Sequence, residues 1–191
     1  MPYLILGLII FLGVHSVRIF AEGWRTATRS RIGEKAYKGM FSLLSLLGLA
    51  LVVWGFGMAR DTPTLLWLPP AGMRHAAALF NVVAFVLLAA TYVPGNSIKA
   101  RLHHPMVLGV KTWAFAHLLA NGNLAHVVLF GAFLVWAVLN YMHARRRDRA
   151  QGSQYPAGRL SATVLTVLIG VGAAGVFAMW LHGWLIGVKP F

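Results

Sequence analysis

The sequence predicts an all-α fold, a polytopic transmembrane helix bundle of six spans with its N-terminus outside, and three observations predict it. Of the 191 residues, 59% are hydrophobic and only 11% charged, for a mass of 20.9 kDa. That is too apolar for an ordinary soluble fold. The apolar residues fall in runs close to the ~20 positions a helix needs to cross roughly 30 Å of hydrocarbon. None of the runs has the alternation of a barrel strand, and a helix is the other way to satisfy backbone polar groups in lipid.

The runs are placed at Pro2 to Ala21, Gly39 to Ala59, Ala76 to Val93, Pro105 to Asn121, Leu124 to Met142 and Leu160 to Leu181. From Met1 to Val17 there is no Lys or Arg, and no small-residue cleavage site follows, so the first run is expected to be a retained span, not a signal peptide. Turn chemistry separates the rest: Thr62-Pro63 and Pro69-Pro70, Pro94-Gly95-Asn96, Asn121-Gly122-Asn123, and the stretch Gln151 to Gly158. The fourth run is the shortest and carries Lys111 and His117. Treating it as re-entrant would reverse the fifth helix and carry the Arg145 to Arg149 cluster outside, against the charge rule, so it is kept as a span. No internal repeat suggests a two-fold transporter, and residues 1–191 are expected to form a single transmembrane domain.

Charge sets the orientation. The 17 Lys+Arg against 4 Asp+Glu give +13, but they lie between apolar runs and not along one amphipathic face, which argues for positive-inside topology and against a nucleic-acid partner. With the N-terminus outside, Arg25, Arg29, Arg31, Lys35, Lys38, Lys99, Arg101, Arg145, Arg146, Arg147, Arg149 and Arg159 fall inside; only Arg60, Arg74 and Lys189 fall outside. With 0 Cys there is no thiolate nucleophile, Fe–S cluster or covalent c-type haem attachment. The acids Glu22, Glu34, Asp61 and Asp148 lie in loops or at helix ends, which excludes a buried carboxylate relay, a paired-carboxylate hydrolase and a di-iron carboxylate site.

The spans nevertheless hold bases: His15 and Arg18 on the first, Lys111 and His117 on the fourth, with His75, His126 and His182 toward the other side. A charge at the bilayer centre costs about 2.5 kcal/mol or more, so Lys111, roughly 10 Å inside the boundary, should deprotonate, snorkel or meet an anionic ligand. Arg18, about one turn from the boundary, reads equally well as a snorkelling anchor. His15 and Arg18 share a face, as do Trp113, His117 and Asn121. Each imidazole reads about as well as a polar interhelical contact as a ligand. His103 and His104, before Pro105, read as a solvated helix start, and no spacing supports a zinc or copper site among His75, His126 and His182.

Several stretches carry a resemblance: Gly13-Val14-His15-Ser16-Val17-Arg18, Gly33-Glu34-Lys35-Ala36-Tyr37-Lys38, His104-Pro105-Met106-Val107-Leu108-Gly109-Val110-Lys111-Thr112-Trp113, Ala116-His117-Leu118-Leu119-Ala120-Asn121-Gly122 and Leu181-His182-Gly183-Trp184-Leu185-Ile186-Gly187-Val188. Together they resemble the NnrU family over nearly the whole chain. NnrU proteins are bacterial integral membrane proteins linked to denitrification and nitric oxide metabolism, and the family is related to the plant zeta-carotene isomerase. The resemblance implies a protein of the bacterial inner (cytoplasmic) membrane, in contact with the lipid bilayer, supporting nitrite and nitric oxide metabolism beside denitrification proteins. It also implies a non-covalent haem b, with His15 and His117 as its axial iron ligands. Arg18 and Lys111 would then meet the propionates through charge-assisted hydrogen bonds. Where the isomerase has a cysteine three residues before the second histidine, this chain has Ala114, so a Cys/His ligand exchange is not carried over. Two alternatives stay open: a haem-dependent cis-trans isomerase of a lipid-soluble polyene, and a cofactor-free membrane assembly subunit.

Overall fold

The computed structural model describes residues 1–190. It is helical, and among the described residues the only bridges of β type are the isolated pairs Leu65 with Asn123 and Asn96 with Arg159. In chain order the helices are α1 (Pro2–Phe20), α2 (Glu22–Ile32), α3 (Glu34–Asp61), α4 (Met73–Tyr92), α5 (Ser97–Leu102), α6 (Pro105–Ala120), α7 (Leu124–Ala150) and α8 (Leu160–Val176). A π-helical turn over Phe177–Leu181 then leads into α9 (His182–Ile186). Among the described residues five helical stretches, α1, α3, α4, α7 and Leu160–Ile186, are long and apolar enough to cross a membrane, and α6 is a shorter apolar helix. Large side chains such as Leu43, Val53 and Leu168 are mostly exposed on these helices. Surfaces of that kind belong in lipid, and the chain is a multi-pass membrane protein.

The sequence expectations differ from the structure mainly at the basic ends. The segment read as a loop between the first two spans contains α2, whose first-turn Glu22 takes a 2.8 Å bond from Arg25. Helix α3 begins at Glu34, five residues before the expected apolar start, and Glu34 pairs with Lys38 at 2.6 Å one turn on. Helix α7 likewise runs on to Ala150 through the arginine cluster. The expected breaks around Thr62, Pro94, Asn121 and Gln151 all lie outside the helices.

The chain divides into two compact units, one of residues 1–68 and 121–140, the other of residues 69–120 and 141–191. In the first unit α1 and α3 run antiparallel with backbones nearly touching. A Cβ on Gly7 would lie 2.5 Å from Val52 N, one on Gly48 would lie 2.7 Å from Phe11 N, and one on Gly55 would collide with the Leu4 backbone. Small residues at the seam permit that approach. The first part of α7 joins this pair through rings, Phe133 on Phe11 at 5.8 Å and His126 on Phe56 at 5.1 Å.

In the second unit α4 packs against both α6 and α8. A Cβ on Gly109 of α6 would lie 3.1 Å from Ala84 O, and one on Gly170 of α8 would collide with the Val86 backbone. Asn96 is buried at the N-terminus of α5, where its carboxamide oxygen accepts from Lys99 N at 2.8 Å and its amide donates to Ala90 O at 2.9 Å. Ser97 N donates to Thr163 Oγ1 at 2.9 Å, which ties this turn to α8.

Candidate cofactor site

His15 lies five residues before the end of α1. Its Nδ1 is 2.7 Å from Phe11 O, one turn back. A carbonyl oxygen only accepts, so Nδ1 carries the proton and donates; in the neutral ring Nε2 keeps its lone pair. Three aromatic rings surround the imidazole: Phe11 at 4.3 Å, Phe41 of α3 at 5.0 Å and Trp136 of α7 at 6.2 Å, the last two edge-on. Two further polar atoms of this unit, Trp136 Nε1 and Ser45 Oγ of α3, are buried with no hydrogen-bond partner among the described residues. Such atoms are rare in folded proteins and each asks for a missing partner.

The second unit holds an imidazole fixed in the same way. His117 Nδ1 is 2.9 Å from Trp113 O one turn back, so it too donates, and its ring lies 5.2 Å from the Trp113 indole. Lys111, partly buried on the same helix, has its ammonium 6.0 Å from the centre of the Tyr141 ring, a cation–π contact, and no acid in ion-pair reach among the described residues. Ala114 is fully buried in α6.

Arg18 is placed differently. Its Nε lies 3.9 Å from Glu22 Oε2 and its side chain is 59% exposed, so an acid one turn on already accompanies it. An exposed pair of this kind is worth at most about 1 kcal/mol. Of the two cations expected beside a bound carboxylate, Lys111 is the one with no acid in ion-pair reach among the described residues.

The structure also assembles a polar cluster that the reading of His103 and His104 as a solvated helix start did not anticipate. Asp148, 13% exposed, receives three bonds on Oδ2: from His104 Nε2 at 2.9 Å, Arg145 NH1 at 3.0 Å and the Tyr155 hydroxyl at 3.3 Å. His103 Nδ1 lies 3.7 Å from the same oxygen, buried and without a hydrogen bond among the described residues. The backbone at His103 has φ 71° and ψ −62°, and His104 N bonds Leu102 O at 2.9 Å. That is a γ-turn of the rare strained kind, in a region L-residues seldom enter. Burial, and then the nearby Arg145 charge, hold the His103 imidazole below its ordinary value of 6.5, while burial and the Asp148 carboxylate push the Tyr155 phenol up. One sequence signal was available, a lone acid inside the run Arg145-Arg146-Arg147-Asp148-Arg149.

His126 Nδ1 is buried without a partner against Phe56, and His182 Nδ1 donates to Val188 O at 2.6 Å. Among the described residues no three His, Asp or Glu side chains come together as a metal-ion cluster.

Comparison with known proteins gives a family. The family model described as NnrU protein matches residues 3–190, and the chain belongs to the NnrU family. No curated protein and no solved structure matches it.

Proposed function

We propose that this NnrU protein binds haem b, whose iron His15 and His117 would hold, and supports nitrite and nitric oxide metabolism in the bacterial inner membrane. The observation that carries the reading is the shared state of the two imidazoles. Each donates Nδ1–H to the carbonyl one turn back, at 2.7 and 2.9 Å. Metal-binding histidines are commonly oriented this way, because the bond fixes the tautomer that offers Nε2 and makes it more basic. The donor set fits a b-type haem. There is no cysteine for a covalent link, the rings beside His15 supply an apolar wall, and Lys111 supplies a cation that lacks an acid.

When bound, the haem would supply a ferrous iron able to take nitric oxide where one of the two imidazoles gives up its place. The protein's own part is to hold two imidazoles by Nδ1 so that Nε2 is free to bind, to keep water from them with aromatic rings, and to balance carboxylate charge at Lys111. The polyene-isomerase alternative draws less from the site, since Ala114 offers no thiolate to exchange with an imidazole.

The test is an absorption spectrum of protein purified from haem-replete cells, oxidised and reduced. A Soret band that shifts on adding nitric oxide to the reduced protein, and that His15→Ala or His117→Ala weakens, is the expected result. Protein without iron or porphyrin would reject the reading and favour an assembly subunit.

A further inference from the structure

The buried polar atoms around His15 that find no partner within the protein have a common chemistry. Trp136 Nε1–H can only donate, and Ser45 Oγ–H needs an acceptor, yet neither finds one among the described residues although both atoms are out of solvent. A buried donor without an acceptor costs about 1–3 kcal/mol, so two such atoms on the helices that pack around His15 ask for a partner, as His126 Nδ1 of the same unit does beside Phe56. Trp136 and Ser45 both belong to helices that pack against α1 near His15. The Trp136 ring is 6.2 Å from the imidazole. Ser45 sits on α3 one turn from Phe41, whose ring is 5.0 Å from His15, and three residues before Gly48, which meets Phe11. Three helices of one unit thus bring an imidazole, an indole N–H and a hydroxyl to the same stretch of α1.

We propose that Trp136 Nε1–H and Ser45 Oγ–H are the hydrogen-bond donors to a carboxylate of the molecule bound at His15, which on the haem reading, on which this inference rests, is a propionate. A carboxylate placed among aromatic rings needs donors to replace water, and neutral N–H and O–H groups stabilise its charged form. Arg18, the residue first expected in that role, is well exposed and already accompanied by Glu22. His15 lies within five residues, roughly 8 Å along the axis, of the end of α1 at Phe20.

The experiment compares haem with haem dimethyl ester, whose carboxylates are capped, by Soret titration of the full chain in detergent after removal of endogenous haem. The wild-type protein should prefer haem. Trp136→Phe, which keeps a ring and deletes the N–H, and Ser45→Ala should each weaken haem binding about 10-fold or more while leaving the ester unchanged. Ser45→Thr, which keeps a hydroxyl, should retain the preference, and the propionate bending band in resonance Raman spectra should move in Trp136→Phe. An unaltered haem-to-ester ratio in both variants, with a Soret band still lost in His15→Ala, overturns this assignment and leaves the haem reading standing. Absence of a Soret band with either porphyrin overturns both.

Discussion

Replacing Gly48 by alanine adds a single carbon at the seam that holds α1, and with it His15, against α3. The new Cβ would lie 2.7 Å from Phe11 N and 2.9 Å from Phe11 Cα. Carbon contacts are most favourable at about 3.5–4.0 Å, so α1 must retreat by roughly 1 Å. The atoms in the way are backbone, which cannot rotate aside. Overpacking of this sort costs about 1–3 kcal/mol. Alanine also improves helix propensity by about 1 kcal/mol, which would blur the result without a control. Gly57 provides it, being on the same helix with nothing within 4 Å of an added Cβ. Gly57→Ala gains the propensity alone, so Gly48→Ala should be the less stable of the two by about 1–3 kcal/mol. At about 2–4 °C per kcal/mol for a chain this size, its melting point should lie roughly 2–12 °C lower. Thermal unfolding in detergent, followed by near-ultraviolet circular dichroism, measures the difference. Equal melting points would refute the claim that α1 is held by backbone contact at this seam.

Other predictions concern the polar cluster and the lysine. His103→Gly should raise stability by about 1–3 kcal/mol, because glycine occupies the γ-turn backbone without strain and the unpartnered imidazole is removed; a lower melting point would show that the turn stores no strain. Since His103 is held below 6.5, the unfolded chain takes a proton more readily than the folded one, so stability is present above about 6.5 and lost as pH falls through the lowered value. His103→Gln should flatten the melting-point profile between pH 8 and 5, and an unchanged slope would assign it to another group. Asp148→Asn leaves the three donors without a charged acceptor and should cost about 1–3 kcal/mol, read as an earlier thermal transition; wild-type melting would mean the cluster is ornamental to stability. Lys111→Met should lower haem retention on dialysis if the ammonium balances a propionate, and full retention would remove it from the site.

The membrane-spanning helices were legible because each is a long apolar run bounded by proline, asparagine or glycine, and those signals are local. The short α2 was not, since Glu22–Ile32 is mostly polar, with Trp24 and Ile32 its only large apolar side chains, and is held by pairs such as Glu22 with Arg25. The Arg18–Glu22 pair was readable in principle from its four-residue spacing. Glu22 itself lies beyond the apolar run. Both imidazoles could be named from the sequence, but not their anchoring to Phe11 O and Trp113 O, which depends on a side-chain rotamer. Trp136 and Ser45 gave no signal, because only packing reveals that their polar atoms are enclosed. The Asp148 cluster joins residues 44 apart in sequence, and no periodicity encodes that meeting.

The π turn at Phe177–Leu181 is in effect one surplus residue lodged in a helix that would otherwise run unbroken from Leu160 to Ile186. Excising a single residue there would let the coil close, and because each position advances the helix by about 100°, everything downstream would turn through that angle. His182 and Trp184 would then look out along new bearings, and the 2.6 Å tether from His182 to Val188 would have to be remade. A one-codon deletion is thus a dial for the azimuth of the C-terminal histidine, leaving the upstream coil of α8 untouched.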